Sequence, residues 1–219
     1  TPARKMAMFE LLVSMGYKKC TSDPCIFVKH LLGAGHIIHA TYVDDLLSIF
    51  TPTPQVKAVL LADVNELDST YGVKRSNTIT KDSLNNKSKE IIATSILFLG
   101  VQITQAGATG RIKLSQESYM NAVLQRFKGD VEGKGVSTTL PPGFKVSKCS
   151  DDAPADQEKY RSAVGSLNYA EVWTRADIAY PVAMLGRYLN DPREPHMRAL
   201  KWVLRYVKGT RAKSLHYWP

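Results

Sequence analysis

Two adjacent carboxylates, Asp44 and Asp45, sit inside "ATYVDDLLSIF" (residues 40–50), between apolar β-branched runs. In a regular strand, neighbouring side chains point to opposite faces, so the pair converges on one ligand only at a tight turn. A hairpin that projects carboxylates out of a sheet suits hard divalent cations, because Mg²⁺ takes oxygen ligands and keeps positions open for substrate phosphates. Two such ions about 4 Å apart activate an attacking hydroxyl and stabilise the leaving oxygen of an in-line phosphoryl transfer. That chemistry needs carboxylates from more than one segment. The competing reading is a turn aspartate bonded to local backbone and water.

The elements that must hold the pair follow from periodicity. Residues 25–30, 36–43 and 46–50 read as strands, which puts Asp44 and Asp45 at the turn of the second hairpin. Residues 3–15 have helical spacing and stop at Gly16, and Thr53-Pro54 opens a helix running to about Leu67. The polar stretch 74–89 reads as an exposed loop. "ILFLGVQIT" (96–104) and "RIKLS" (111–115) read as a further hairpin across "QAGATG", followed by a helix over 116–127. A linker rich in Gly and Pro spans 129–143, and the rest is helical until a short strand near 215–218. Thr174 and Asp177 read as caps of a helical stretch kinked at Pro181.

Charge is asymmetric. Residues 1–110 carry 11 basic and 9 acidic side chains, and residues 111–219 carry 18 and 11, so the net charge of +9 divides into +2 and +7. A basic second half fits a polyanionic partner. On the last long helix, about 195–207, Arg198, Lys201, Arg205 and Lys208 recur at steps of three, four and three and share one face. Such a stripe can track a phosphate backbone or be an ordinary solvated face, and the pattern does not choose between them.

Three cysteines without a CxxC pair argue against a disulfide framework and a cysteine zinc site, and the chain reads as intracellular. Cys20, Cys25 and His30 lack a second pair, and strand alternation sends His36 and His39 to opposite faces, so neither set is read as a metal centre. There is no G-x-S-x-G motif, and "QAGATG" lacks the lysine of a phosphate loop. No apolar run reaches membrane-spanning length, so no membrane partner is expected. The chain begins Thr1-Pro2 without Met and reads as a piece of something longer.

With these motifs in view, the chain resembles the reverse transcriptase of copia-type LTR retrotransposons. "YVDD" (42–45) looks like its catalytic hairpin. The resemblance continues in order through "MGYKKCTSDPCIF" (15–27), "FLGVQIT" (98–104), "LSQESYMNAVLQRF" (114–127), "YRSAVGSLNYAEVWTRADIAYPVAMLGRYL" (160–189) and "HMRALKWVLRYVKGT" (196–210). It implies an α+β fold: a partial right-hand polymerase palm of antiparallel hairpins, then a helical thumb and connection. The implied divisions are 1–104 for the palm, 105–150 for the thumb helix and linker, and 151–219 for a connection leading toward an RNase H domain.

In this resemblance Asp44 and Asp45 are the catalytic, Mg²⁺- or Mn²⁺-binding carboxylates, and Tyr42 and Val43 pack near the primer end and incoming nucleotide. Phe98, Leu99 and Gly100 match the primer grip. The implied partners are an RNA template, a DNA primer, dNTP and the rest of a Pol polyprotein: fingers, integrase and RNase H. The implied location is a cytoplasmic virus-like particle and the nucleus. The family also has a catalytic Asp on an earlier palm strand. Here only Glu10 and Asp23 precede the hairpin, and Asp23 falls in a non-catalytic stretch. The expectation is therefore an RNA-directed DNA polymerase fragment that binds Mg²⁺ weakly and is inactive alone. The alternatives are a non-catalytic nucleic-acid-binding remnant and a genomic relic that does not fold stably.

Overall fold

The computed structural model describes residues 2–43, 45–72, 94–105, 110–144 and 152–218. The chain is a mixed α+β protein with two antiparallel four-stranded sheets and, among the described residues, six α-helices. It divides into two compact units, 1–90 and 91–219. The division falls at 90/91, whereas the sequence suggested boundaries at 104/105 and 150/151. The expected loop at 74–89 lies outside the described residues, as does the "QAGATG" turn apart from Gln105 and Gly110.

In the first unit, α1 (Pro2–Ser14) ends where Gly16 turns left-handed (φ +89°), a conformation that costs a residue without Cβ little. Strands β1 (Lys18–Lys19), β2 (Ile26–Leu31), β3 (Gly35–Tyr42) and β4 (Asp45–Phe50) follow in spatial order 1-2-3-4. Helix α2 (Pro54–Tyr71) starts as expected: Thr53 accepts the Val56 amide at 3.3 Å, and Pro54 takes the first turn. Leu12, Phe27, Ile37, Val56, Leu60 and Leu67 form the core between the helices and one sheet face. Apolar residues on half a sheet therefore set its register, since a one-residue slip would carry Ile37 out of that core.

In the second unit, β5 (Thr94–Phe98), β6 (Val101–Gln105), β7 (Ile112–Ser115) and β8 (Ser214–Tyr217) form a meander closed by the C-terminal strand. "ILFLGVQIT" is two strands rather than one, because the chain reverses at Leu99-Gly100. Helices α3 (Glu117–Arg126), α4 (Gln157–Trp173), α5 (Ala179–Gly186) and α6 (Glu194–Thr210) bury a separate core that includes Met120, Tyr160, Leu167, Ile178, Leu200 and Val203.

Two expectations change here. The Gly/Pro segment after α3 is packed structure: Val131 is buried, and Val136, Leu140 and Phe144 lie against the helical core. Gly135 crosses Gly209 of α6 so closely that a Cβ on Gly135 would come within 2.6 Å of the Gly209 Cα. Thr174 and Asp177 do not cap the helix that holds Pro181; Thr174 instead ends α4 as its C-cap, its amide donating to the Ala170 carbonyl at 3.0 Å. Thr174 donates to Gln116 at 2.8 Å, and Asp177 accepts from Arg175, Tyr206 and Lys213. Helix α4 stops at Trp173, and Pro181 sits in the first turn of α5, where its missing N–H costs nothing.

Candidate active-site hairpins

The register pairs Tyr42 at the end of β3 with Asp45 at the start of β4, with Val43 in the connection between them. The turn thus lies one residue earlier than the sequence suggested, and Asp45 opens β4 instead of occupying the turn. Pairing explains the difference. With Asp45 opposite Tyr42, Leu46 and Phe50 point to the core and Asp45 stands exposed on the other face. Tyr42 is 58% and Val43 61% exposed, so both flank the carboxylate at an open tip. Asp44 lies outside the described residues.

Val43 has φ +53°, a region that β-branched residues seldom enter. Strain of this kind costs about 1–3 kcal/mol and persists only where the surroundings impose it. The second hairpin repeats the device: Leu99 has φ +49° and Gly100 φ +72° between the partners Phe98 and Val101. There the turn is tethered, because the Tyr169 hydroxyl donates to the Leu99 carbonyl and Tyr169 stacks edge-on against Tyr119 at 5.0 Å.

Beneath the first hairpin runs a buried polar chain that sequence reasoning missed. Ser48 Oγ lies 2.9 Å from His39 Nδ1, His39 Nε2 lies 2.9 Å from the Tyr17 hydroxyl, and Tyr17 donates to Asp63 at 2.8 Å. Lys29 completes it with a 2.9 Å ion pair to Asp63. Burial pushes the His39 pKa down to about 4, against the opposing pull of Asp63. Burial, followed by the hydrogen bond and charge of Asp63, raises Tyr17. The chain ties β2, β3, β4 and α2 together under the strand that carries Tyr42. One signal was available: Asp63 interrupts the apolar stripe Val56, Leu60, Leu67 of α2, and a carboxylate at such a position needs partners.

The basic stripe forms as spaced, on α6, but its cations are largely spent inside the protein. Lys201 pairs with Asp130 at 3.2 Å, and Lys159 pairs with the same carboxylate at 2.6 Å. Burial favours the neutral acid, but these two lysines outweigh it and lower the Asp130 pKa. Arg205 donates to the Lys134 carbonyl at 3.1 Å and lies over the Trp202 ring, while Lys208 donates to Gly133 at 2.9 Å and Val131 at 3.3 Å. Arg198 stays exposed. Three of the four thus clamp the segment after α3 onto α6, a role that spacing cannot reveal because the carbonyls belong to a distant stretch of chain.

Comparison with curated proteins gives the tobacco (Nicotiana tabacum) transposon TNT 1-94 Pol polyprotein, described as retrovirus-related, at 32% identity over 216 residues, 96% of this chain. The retrovirus-related Pol polyproteins of transposons RE1 and RE2 from Arabidopsis thaliana match at 31% and 30% over 199 residues, 91% of the chain. The chain is a homologue of copia-type transposon Pol polyproteins. This Pol homologue spans 15% of the length of the TNT 1-94 relative and 12% of RE1 and RE2. No family model matches it, and no solved structure does. Among the described residues of the Pol homologue, no helix is long and apolar enough to cross a membrane, and no three His, Cys, Asp or Glu side chains cluster for a metal ion.

Proposed function

We propose that this chain is the part of a transposon Pol polyprotein that carries the catalytic hairpin, primer grip, thumb and connection of an RNA-directed DNA polymerase. The observation that supports this best is the Tyr42–Asp45 hairpin. Asp45 stands at the exposed end of a sheet whose other face is packed by helices, next to Asp44 and a strained two-residue turn. Oxygen donors at an open tip fit a hard divalent cation, and Asp44 and Asp45 would hold Mg²⁺ or Mn²⁺. When bound, the metal lowers the pKa of the primer 3′-hydroxyl and neutralises charge on the transferring phosphoryl group.

The residues of the chain supply position. Tyr42 offers an exposed ring beside Asp45 for stacking against a base or sugar at the primer end. Leu99 and Gly100 present a backbone turn, fixed by Tyr169, for the primer strand. Two-metal transfer requires a further carboxylate from another strand, which the remainder of the Pol polyprotein supplies in this reading. The setting would be the cytoplasmic particle and nucleus of a retroelement cycle, with RNA template, DNA primer and dNTP as partners.

Primer extension on an RNA template, with Mg²⁺ or Mn²⁺, tests the proposal. It is run with this chain alone and with a longer Pol segment that places the upstream palm strand before it. Incorporation is expected from the longer form and should fall by about 10³-fold or more in Asp44→Asn and Asp45→Asn, the scale of losing a preorganised electrostatic group. Duplex binding without incorporation by either form would reduce the chain to a nucleic-acid-binding remnant.

A further inference from the structure

The open face of the first sheet carries a second set of ligating side chains at the end of β3 away from Asp45. His30 on β2 pairs directly with His36 on β3. The Thr41 amide donates to the Cys25 carbonyl at 2.9 Å, which makes Cys25–Thr41 a hydrogen-bonded pair. Alternation along the strands then makes His30–His36 a non-hydrogen-bonded pair, the kind in which opposed side chains approach closest. Both histidines are exposed, and their ring centroids are 6.2 Å apart.

We propose that His30 and His36 form a binding site for a divalent transition-metal ion of the imidazole-preferring class, Zn²⁺, Ni²⁺ or Cu²⁺. Two imidazoles on one tetrahedral ion, with bonds of about 2.0–2.1 Å, place their ring centroids on the order of 5 Å apart. The observed separation closes by a small side-chain rotation, which exposed rings make freely. The strand ends are held for it. The Ala34 amide donates to the Leu31 carbonyl at 3.0 Å across the connecting turn, and Thr53 Oγ1 donates to the Ala34 carbonyl at 3.2 Å. Thr51 Oγ1 accepts the His36 amide at 3.1 Å and lies 3.5 Å from His36 Nδ1, which leaves Nε2 as the nitrogen presented outward. Gly35 permits that arrangement, since a Cβ there would meet Thr51 at 2.5 Å.

Protein supplies two ligands, and the remaining positions on the ion fall to water or a partner. Soft and borderline ions prefer imidazole, whereas Mg²⁺ prefers carboxylate and water, so this site and the Asp44–Asp45 tip select different metals. Six residues of extended β3 separate His36 from Tyr42, roughly 20 Å.

Titration of the full chain with Zn²⁺, followed by calorimetry at neutral pH, tests the site. Saturable binding of one ion is expected, weakened at least tenfold in His30→Ala and in His36→Ala and lost in the double variant. Asp45→Asn should leave it unchanged, which separates this site from the hairpin carboxylates. Cys20→Ser and Cys25→Ser should bind as the parent does. No saturable binding, binding as tight as the parent's in either single variant, binding that persists in the double variant, or loss in the cysteine variants would each overturn the proposal. Circular dichroism of these surface variants checks that each is folded.

Discussion

The two hairpins solve one backbone problem in different ways. Each reverses the chain in two residues, and each puts a bulky apolar residue at positive φ, Val43 in one and Leu99 in the other. The Leu99 turn has Gly100 beside it and is tied to α4 through Tyr169, so local strain is offset by a named hydrogen bond. The Val43 tip is exposed, and its support comes from the strands behind it, through the chain Ser48–His39–Tyr17–Asp63–Lys29. A turn held from behind leaves its tip open to solvent. A turn held from above gives a fixed surface.

The units that carry these hairpins hold their buried charge differently as well. In the first, a neutral imidazole is enclosed with an ion pair. In the second, Asp177 accepts from Arg175 at 2.8 Å, Tyr206 at 2.7 Å and Lys213 at 3.3 Å. Burial opposes its charge, but these partners prevail and hold its pKa at about 2.

The sharpest way to break the contrast is Asp63→Ala. Removing the carboxylate leaves Lys29 and the Tyr17 hydroxyl without their acceptor, which should destabilise the first unit by about 3 kcal/mol. The second unit should be spared. All three tryptophans, Trp173, Trp202 and Trp218, belong to it, so their fluorescence in urea reports its unfolding alone, while amide exchange at residues 37–48 reports the first.

Acid should separate the units next. His39 has a folded pKa of about 4 against 6.5 in the unfolded chain. The unfolded state therefore binds the extra proton, and the stability His39 contributes above pH 6.5 is lost as pH falls toward 4, by about 3 kcal/mol at most. Asp177, depressed to about 2, keeps its contribution until pH falls below 3.8. Between pH 6.5 and 4, amide protection should drop in the first unit before the tryptophan transition moves. The groups facing His39 are Tyr17, Ser48, Asp63 and Lys29, and His39→Gln should flatten the slope. An equal slope in that variant would assign the acid response to other groups.

The smallest effects concern the turns themselves. Val43→Gly and Leu99→Gly remove the side-chain clash at positive φ but add chain entropy to the unfolded state, so each should change stability by no more than about 1 kcal/mol. Leu99, half-buried, should lose more than Val43 when both are measured by denaturant midpoint.

Much of the fold was legible in sequence because it rests on local rules. The strand runs, the Thr53-Pro54 helix start and the terminal strand were placed within a few residues. The turn at Leu99-Gly100 was missed because its flanking strands read as one apolar run. The linker was misread because Gly and Pro signal an irregular backbone without saying whether it packs. The Asp44–Asp45 pair stood out from its neighbours in the chain. The histidine pair did not, since His30 and His36 meet only through the register of β2 and β3.

The sequence by itself determined most of the elements, the charge asymmetry and the carboxylate pair, because each depends on residues a few positions apart. Tertiary structure decided the rest. It placed Asp45 at the head of a strand, enclosed His39 with Tyr17 and Asp63 across 46 residues of chain, and spent Lys201, Arg205 and Lys208 on the segment after α3. The reason is that a side chain's role follows from what lies within about 3 Å of it, and for groups distant in sequence only the folded register and packing set that distance.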